Sequence, residues 1–90
     1  GVHIKEKEYF TNHELEIQKG DMVYMYSDGY QDQFGGSDNR KFLPKNLRSK
    51  LLEVSDKTMH EQQKILDQVF EEWKGEKKQL DDVLVIGLRI

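Results

Sequence analysis

Hydrophobic residues follow strand-like patterns at the two ends of this chain and helical spacing between them. Val2, Ile4, Tyr9 and Phe10 are interleaved with charged residues, and Leu15 alternates with Ile17. This predicts two short, half-buried strands with a turn at Asn12-His13. Lys19-Gly20-Asp21 signals a second turn, with Asp21 stabilising it through its own side chain. Met22-Val23-Tyr24-Met25-Tyr26 is a continuous apolar and aromatic run of the kind covered on both faces, so it is predicted as the central strand. Gln31 to Lys41 contains Gly35-Gly36, Ser37, Asp38 and Asn39 and reads as a mobile polar loop with an exposed tip.

Pro44 suits the first turn of a helix, and Leu47, Leu51, Leu52 and Val54 recur at spacings that place them on one face. That helix is predicted to end near Val54. Thr58 followed by Glu61 has capping-box spacing, and Ile65, Leu66, Val69, Phe70 and Trp73 form an apolar stripe that Gly75 stops. The stripe assigns Phe70 and Trp73 to the core, not to a partner-binding patch. Val83 to Ile90 is a β-branched strand after the charged turn Glu76 to Gln79. Strands, then two helices, then a strand make the class α+β.

Ninety residues form one small unit, which can bury only about 60 to 65% of its unfolded surface. The abrupt start at Gly1 and the finish on strand residue Ile90 read as a piece of a longer domain. Lys and Arg number 14 against 17 Asp and Glu, a net charge of -3 with signs interspersed, which argues against nucleic acid as a partner. The absence of cysteine excludes disulfides, thiolate metal sites and a cysteine nucleophile. No apolar stretch is long enough for a signal peptide or a membrane span, so the expected setting is cytoplasmic, without membrane contact by this segment.

Candidate chemistry lies at the ends of two apolar runs. Ser27-Asp28-Gly29 follows the central strand, and Asp81-Asp82 precedes the last one. Carboxylates are hard oxygen ligands suited to Mg²⁺ or Mn²⁺, and phosphoryl-transfer sites often hold two such ions about 3.5 to 4 Å apart. Asp28 and Asp81 are the candidate metal ligands. Gly29 is read as the residue that lets the chain turn sharply after Asp28. Asp82 is assigned to capping the strand start or facing solvent, since successive strand side chains alternate in direction. His3, His13 and His60 share no ligand spacing and are assigned to packing or the surface. Asp32, Asp38 and Asn39 lack the spacing of a calcium loop.

Gly20-Asp21, five residues, Ser27-Asp28-Gly29, then Phe42 leading into a helix, then Asp81-Asp82 before a terminal apolar strand resembles one family in both order and spacing. That family is the SpoIIE-like bacterial branch of the metal-dependent serine/threonine protein phosphatases, the PPM family. The stretch from Tyr24 to Gly36 looks like the form found where this domain ends a bacterial multidomain signalling protein. The resemblance implies the C-terminal portion of an α-β-β-α sandwich, mainly antiparallel with two helices, whose metal-binding aspartates line one end of two packed sheets. Asp28 and Asp81 match family metal ligands, with Gly29 and Asp82 in supporting positions. The implied reaction is hydrolysis of phosphoserine or phosphothreonine by a two-metal-activated water, with no covalent phosphoenzyme and with Mn²⁺ or Mg²⁺ as cofactor. Implied partners are a phosphoprotein substrate such as a small antagonist protein and upstream sensor or regulatory domains of the parent chain.

Three departures bear on that transfer. No residue here matches the aspartate, contributed by the family's upstream half, that bridges both metals, so this chain is expected to hold a partial site and to be inactive alone. Val83 and Leu84 stand where a threonine often follows the second aspartate pair, and Leu43-Pro44 follows Phe42 where the family usually has glycine. A reading from another class is a catalytically silent protein-interaction module of a signalling protein, its aspartates being remnants. Without the first half of a two-sheet sandwich, uncovered sheet surface and a strand edge predict homo-oligomers.

Overall fold

The computed structural model describes residues 1–6, 16–79 and 81–90. Among these the order is β1 (Val2–Glu6), β2 (Met22–Tyr26), β3 (Phe34–Gly35), β4 (Arg40–Lys41), α1 (Pro44–Val54), α2 (Met59–Lys74) and β5 (Val85–Arg89). This is the expected α+β class. β2 is central in the sheet β1-β2-β5, parallel to β1 with Ile4 opposite Tyr24, and antiparallel to β5 with Met25 opposite Ile86. A parallel pair cannot be closed by a tight hairpin, so the connection from β1 to β2 is long. The expected turn at Asn12-His13, with Tyr9, Phe10 and Leu15, lies outside the described residues. Ile17 is exposed and carries no strand pairing.

Side-chain alternation decides which face of the sheet carries the core. Met22, Tyr24 and Tyr26 pack with Leu47 and Leu51 of α1 and with Leu66 and Phe70 of α2 in one buried cluster. Leu47, Leu51 and Val54 are the buried face of α1, whereas Leu52 is 55% exposed. The expected grouping of all four fails because the step from Leu51 to Leu52 turns about 100° around a helix. On the opposite sheet face Val23 and Met25 lie across from Leu88 and Ile86, both exposed.

α2 has the termini its sequence predicts. The Thr58 hydroxyl accepts the Glu61 N–H at 3.2 Å and lies 3.0 Å from the Glu61 carboxylate, to which it donates. Gly75 closes the helix with φ 54°, donating its N–H to Glu71 O at 2.9 Å. Gln62 is buried on the same helix, accepting from the Tyr24 hydroxyl at 2.5 Å and donating to Lys57 O at 2.9 Å. Burial pushes the Tyr24 and Tyr30 hydroxyls above the ordinary phenol range.

Gln31 to Lys41, expected as an open loop, contains the hairpin β3-β4. Its base docks on the end of α2, where Gly36 donates to Trp73 O at 3.1 Å and the Trp73 indole donates to Gln33 O at 2.8 Å. The residues 36–40 at the tip are exposed, as the polar sequence suggests.

Leu43 caps α1 without a side-chain hydrogen bond, at φ 79° and ψ 146°. Only glycine occupies that part of backbone space without penalty. Leu43 is held there by its N–H, which donates to Gln31 O at 2.8 Å. Strain of about 1–3 kcal/mol at such a residue exceeds the extra chain entropy that glycine loses on folding, about 0.5–1 kcal/mol. Leu43→Gly is therefore expected to stabilise the fold by about 1 kcal/mol in urea denaturation. A loss of stability would show that the leucine side chain makes compensating contacts.

Candidate metal centre

Because β2 and β5 are antiparallel with Tyr26 opposite Val85, the chain leaves β2 and approaches β5 at the same end of the sheet. Val83 and Leu84, expected inside the last strand, precede it and tie it to Ser27. Ser27 N–H donates to Leu84 O at 2.9 Å, and the Ser27 hydroxyl accepts Leu84 N–H at 3.0 Å while lying 3.3 Å from Asp82 O, to which it donates. These contacts join the two aspartate motifs directly.

Asp28 begins a single helical turn, closed by Asp32 N–H donating to Asp28 O at 2.9 Å. The turn does not depend on glycine's freedom of φ, since the φ of Gly29 is not positive. Its requirement is space. A Cβ on Gly29 would fall 2.0 Å from the carbonyl oxygen of Asp82 and 2.7 Å from its carbonyl carbon. The Asp28 turn and the Asp81-Asp82 segment are thus in backbone contact through the missing side chain.

The Asp28 side chain is at the surface, and its Oδ1 accepts a hydrogen bond from Gln31 Nε2 at 3.0 Å. Asp81 and Asp82 are exposed, and Asp81 Oδ1 accepts the Asp82 N–H at 2.9 Å. Beside them is a cavity of about 230 Å³ lined by Gly29, Asp32, Gln33, Phe34, Lys41 and Asp81. Asp32, which the sequence places in the polar loop, lies on the wall of this cavity. Its position four residues after Asp28 brings it there through the helical turn that begins at Asp28, which the sequence pattern does not announce. Lys41 Nζ stands 3.8 Å from Asp32 Oδ1 and offsets part of the negative charge there.

As a donor set, these carboxylates fit a hard divalent cation such as Mg²⁺ or Mn²⁺. Among the described residues no group of three or more His, Cys, Asp or Glu gathers closely enough to hold an ion, so these carboxylates do not by themselves make a metal site. The histidines do not contribute: His60 is exposed, and His13 lies outside the described residues. His3 Nε2 is 2.8 Å from Asp21 Oδ2 near the opposite end of β2. Asp21 also accepts the Gln18 N–H at 3.0 Å and bonds the Gly1 amino group. The Gln18 N–H, then the Gly1 amino group and His3, hold its carboxyl well below the usual carboxylate range. Asp21 serves the turn before β2, at the end of the strand away from Asp28 and Asp81.

A family model described as Stage II sporulation protein E (SpoIIE) matches residues 2–90. Among solved structures, the SiaA-PP2C domain of Pseudomonas aeruginosa is similar, with 26% sequence identity over 77% of this chain and a TM-score of 0.74. The chain covers 28% of that structure's length. No curated protein sequence matches significantly. Among the described residues, no helix is long and apolar enough to cross a membrane.

Proposed function

The chain belongs to the SpoIIE family, and from that premise we propose that it is the metal-binding C-terminal part of a phosphatase domain acting on phosphoserine and phosphothreonine in proteins. The observation that carries this reading is the joining of Ser27-Asp28-Gly29 to Asp81-Asp82 by the Ser27 hydrogen bonds and the Gly29 contact. Asp28 and Asp81 would hold the ions from this side, with Gly29 allowing the two segments to approach and Asp82 fixing the backbone beside them. Bound Mn²⁺ or Mg²⁺ would acidify water and offset charge on the phosphoryl oxygens. The residues of this chain contribute carboxylate oxygens on a braced backbone, and Lys41 adds a positive charge at the cavity wall. The substrate is a phosphoprotein such as a small antagonist protein, under the control of upstream sensor domains in the parent chain.

The test is phosphate release from a phosphoserine peptide by the chain extended upstream to its natural domain start. Activity is expected with Mn²⁺, lost on chelation and lost in Asp28→Asn and Asp81→Asn, and the 90-residue chain alone is expected to be inactive. An extended domain that folds, binds its peptide and releases no phosphate with either metal would favour the silent interaction module.

A further inference from the structure

We propose that Gln31 is a positioning residue that sets the direction of the Asp28 carboxylate and so controls metal affinity; this rests on Asp28 being a metal ligand, as proposed above. Gln31 is 6% exposed although its side chain ends in a polar amide. Nε2 donates to Asp28 Oδ1 at 3.0 Å, while Oε1 is buried with no hydrogen-bond partner among the described residues. An amide in that state is unfavourable for folding alone, since a buried acceptor has lost water without gaining a donor. The orientation is nonetheless determined, because an ionised carboxylate only accepts, and turning the amide over would set oxygen against oxygen.

Gln31 is itself fixed. Its carbonyl accepts the Leu43 N–H at 2.8 Å, so the residue is clamped between the Asp28 turn and the start of α1. Its position three residues after Asp28 on one helical turn lets the amide reach back to Oδ1. With one acceptor position of Oδ1 taken by Gln31, the carboxylate is fixed in direction and its other lone pairs, those of Oδ2 among them, are left to a cation. Carboxylate ligands are commonly held by such partners, whose removal weakens metal binding by about 10–100-fold.

The experiment is calorimetric titration of Mn²⁺ into the extended domain as wild type, Gln31→Met, Asp28→Asn and the double variant, with metal-free melting of each. Methionine has similar volume and reach but no donor, and it removes the unpartnered acceptor. Gln31→Met is expected to weaken Mn²⁺ by about 10–100-fold with metal-free melting unchanged or higher. The double variant is expected to bind no worse than Asp28→Asn, because the amide acts only through that carboxylate. Wild-type Mn²⁺ affinity in Gln31→Met, alongside weakened binding in Asp28→Asn, overturns the role of Gln31 and leaves the metal site standing. Unchanged affinity in Asp28→Asn sinks the metal site and this proposal with it. Should Gln31→Met not fold, the Gln31 side-chain amide resonances of the wild type decide: they are expected to shift with Mg²⁺, and a signal unmoved at saturation overturns the assignment.

Discussion

Gly29→Ala is expected to destabilise the domain by about 3 kcal/mol, the upper part of the usual range for overpacking. The added methyl would lie 2.0 Å from Asp82 O and 3.2 Å from Val83 Cα, both backbone atoms. A flexible side chain could swing away from such a contact, but a backbone leading into a paired strand cannot. Relief requires the approach to β5 to shift, which breaks the Ser27 contacts with Asp82 and Leu84. Stability and Mn²⁺ affinity should therefore fall together, measured by urea denaturation and by titration of the extended domain. Gly20→Ala is the control, since Gly20 has φ +93° and no atom within 4 Å of the added Cβ. It should cost about 1 kcal/mol from backbone strain and leave the metal centre untouched. Wild-type stability in Gly29→Ala would mean the two motifs do not meet as described.

That contact marks where sequence reasoning reaches its limit. Gly29 is recognisable as a special position, but local reasoning assigns it a sharp turn, whereas its neighbour is a carbonyl far along the chain. Leu43 shows the same limit from another side: the departure from glycine is legible, and only the fold reveals its positive φ. Elements with strong local signals were legible throughout. β2 stands out because five successive apolar residues suit a strand covered on both faces, and α2 because cap, stripe and stop agree on one span. The hairpin β3-β4 was hidden because two-residue strands carry no periodicity, and its base is tied by hydrogen bonds to Trp73, forty residues along the chain. Asp28 and Asp81 were found by motif. Asp32 and Gln31 were not, since their relevance follows from the helical turn after Asp28, which local composition disguises as loop.

Phe70→Ala is expected to cost about 3–5 kcal/mol, the range for emptying a buried aromatic site. Phe70 is 6% exposed, with its ring centroid 4.9 Å from that of Tyr30 at a 59° tilt. Tyr30 in turn meets Phe42 at 5.2 Å and donates its hydroxyl to Leu66 O at 2.7 Å. Tyr30 immediately follows Gly29, so the aromatic cluster braces the Asp28 turn from inside. If the core holds the metal centre in place, Phe70→Ala will weaken Mn²⁺ binding as well as stability under conditions where the variant is still folded. Leu52→Ala removes an apolar side chain that is 55% exposed on α1 and should change stability by no more than about 0.5 kcal/mol, with Mn²⁺ affinity unchanged. A folded Phe70→Ala domain that binds Mn²⁺ like the wild type would instead show that the turn is held by the Ser27 bonds to Asp82 and Leu84 and the Gln31 bonds to Asp28 and Leu43. The geometry favours coupling, because Tyr30 packs directly on Phe70 and neither it nor Gly29 can shift without moving the adjacent backbone.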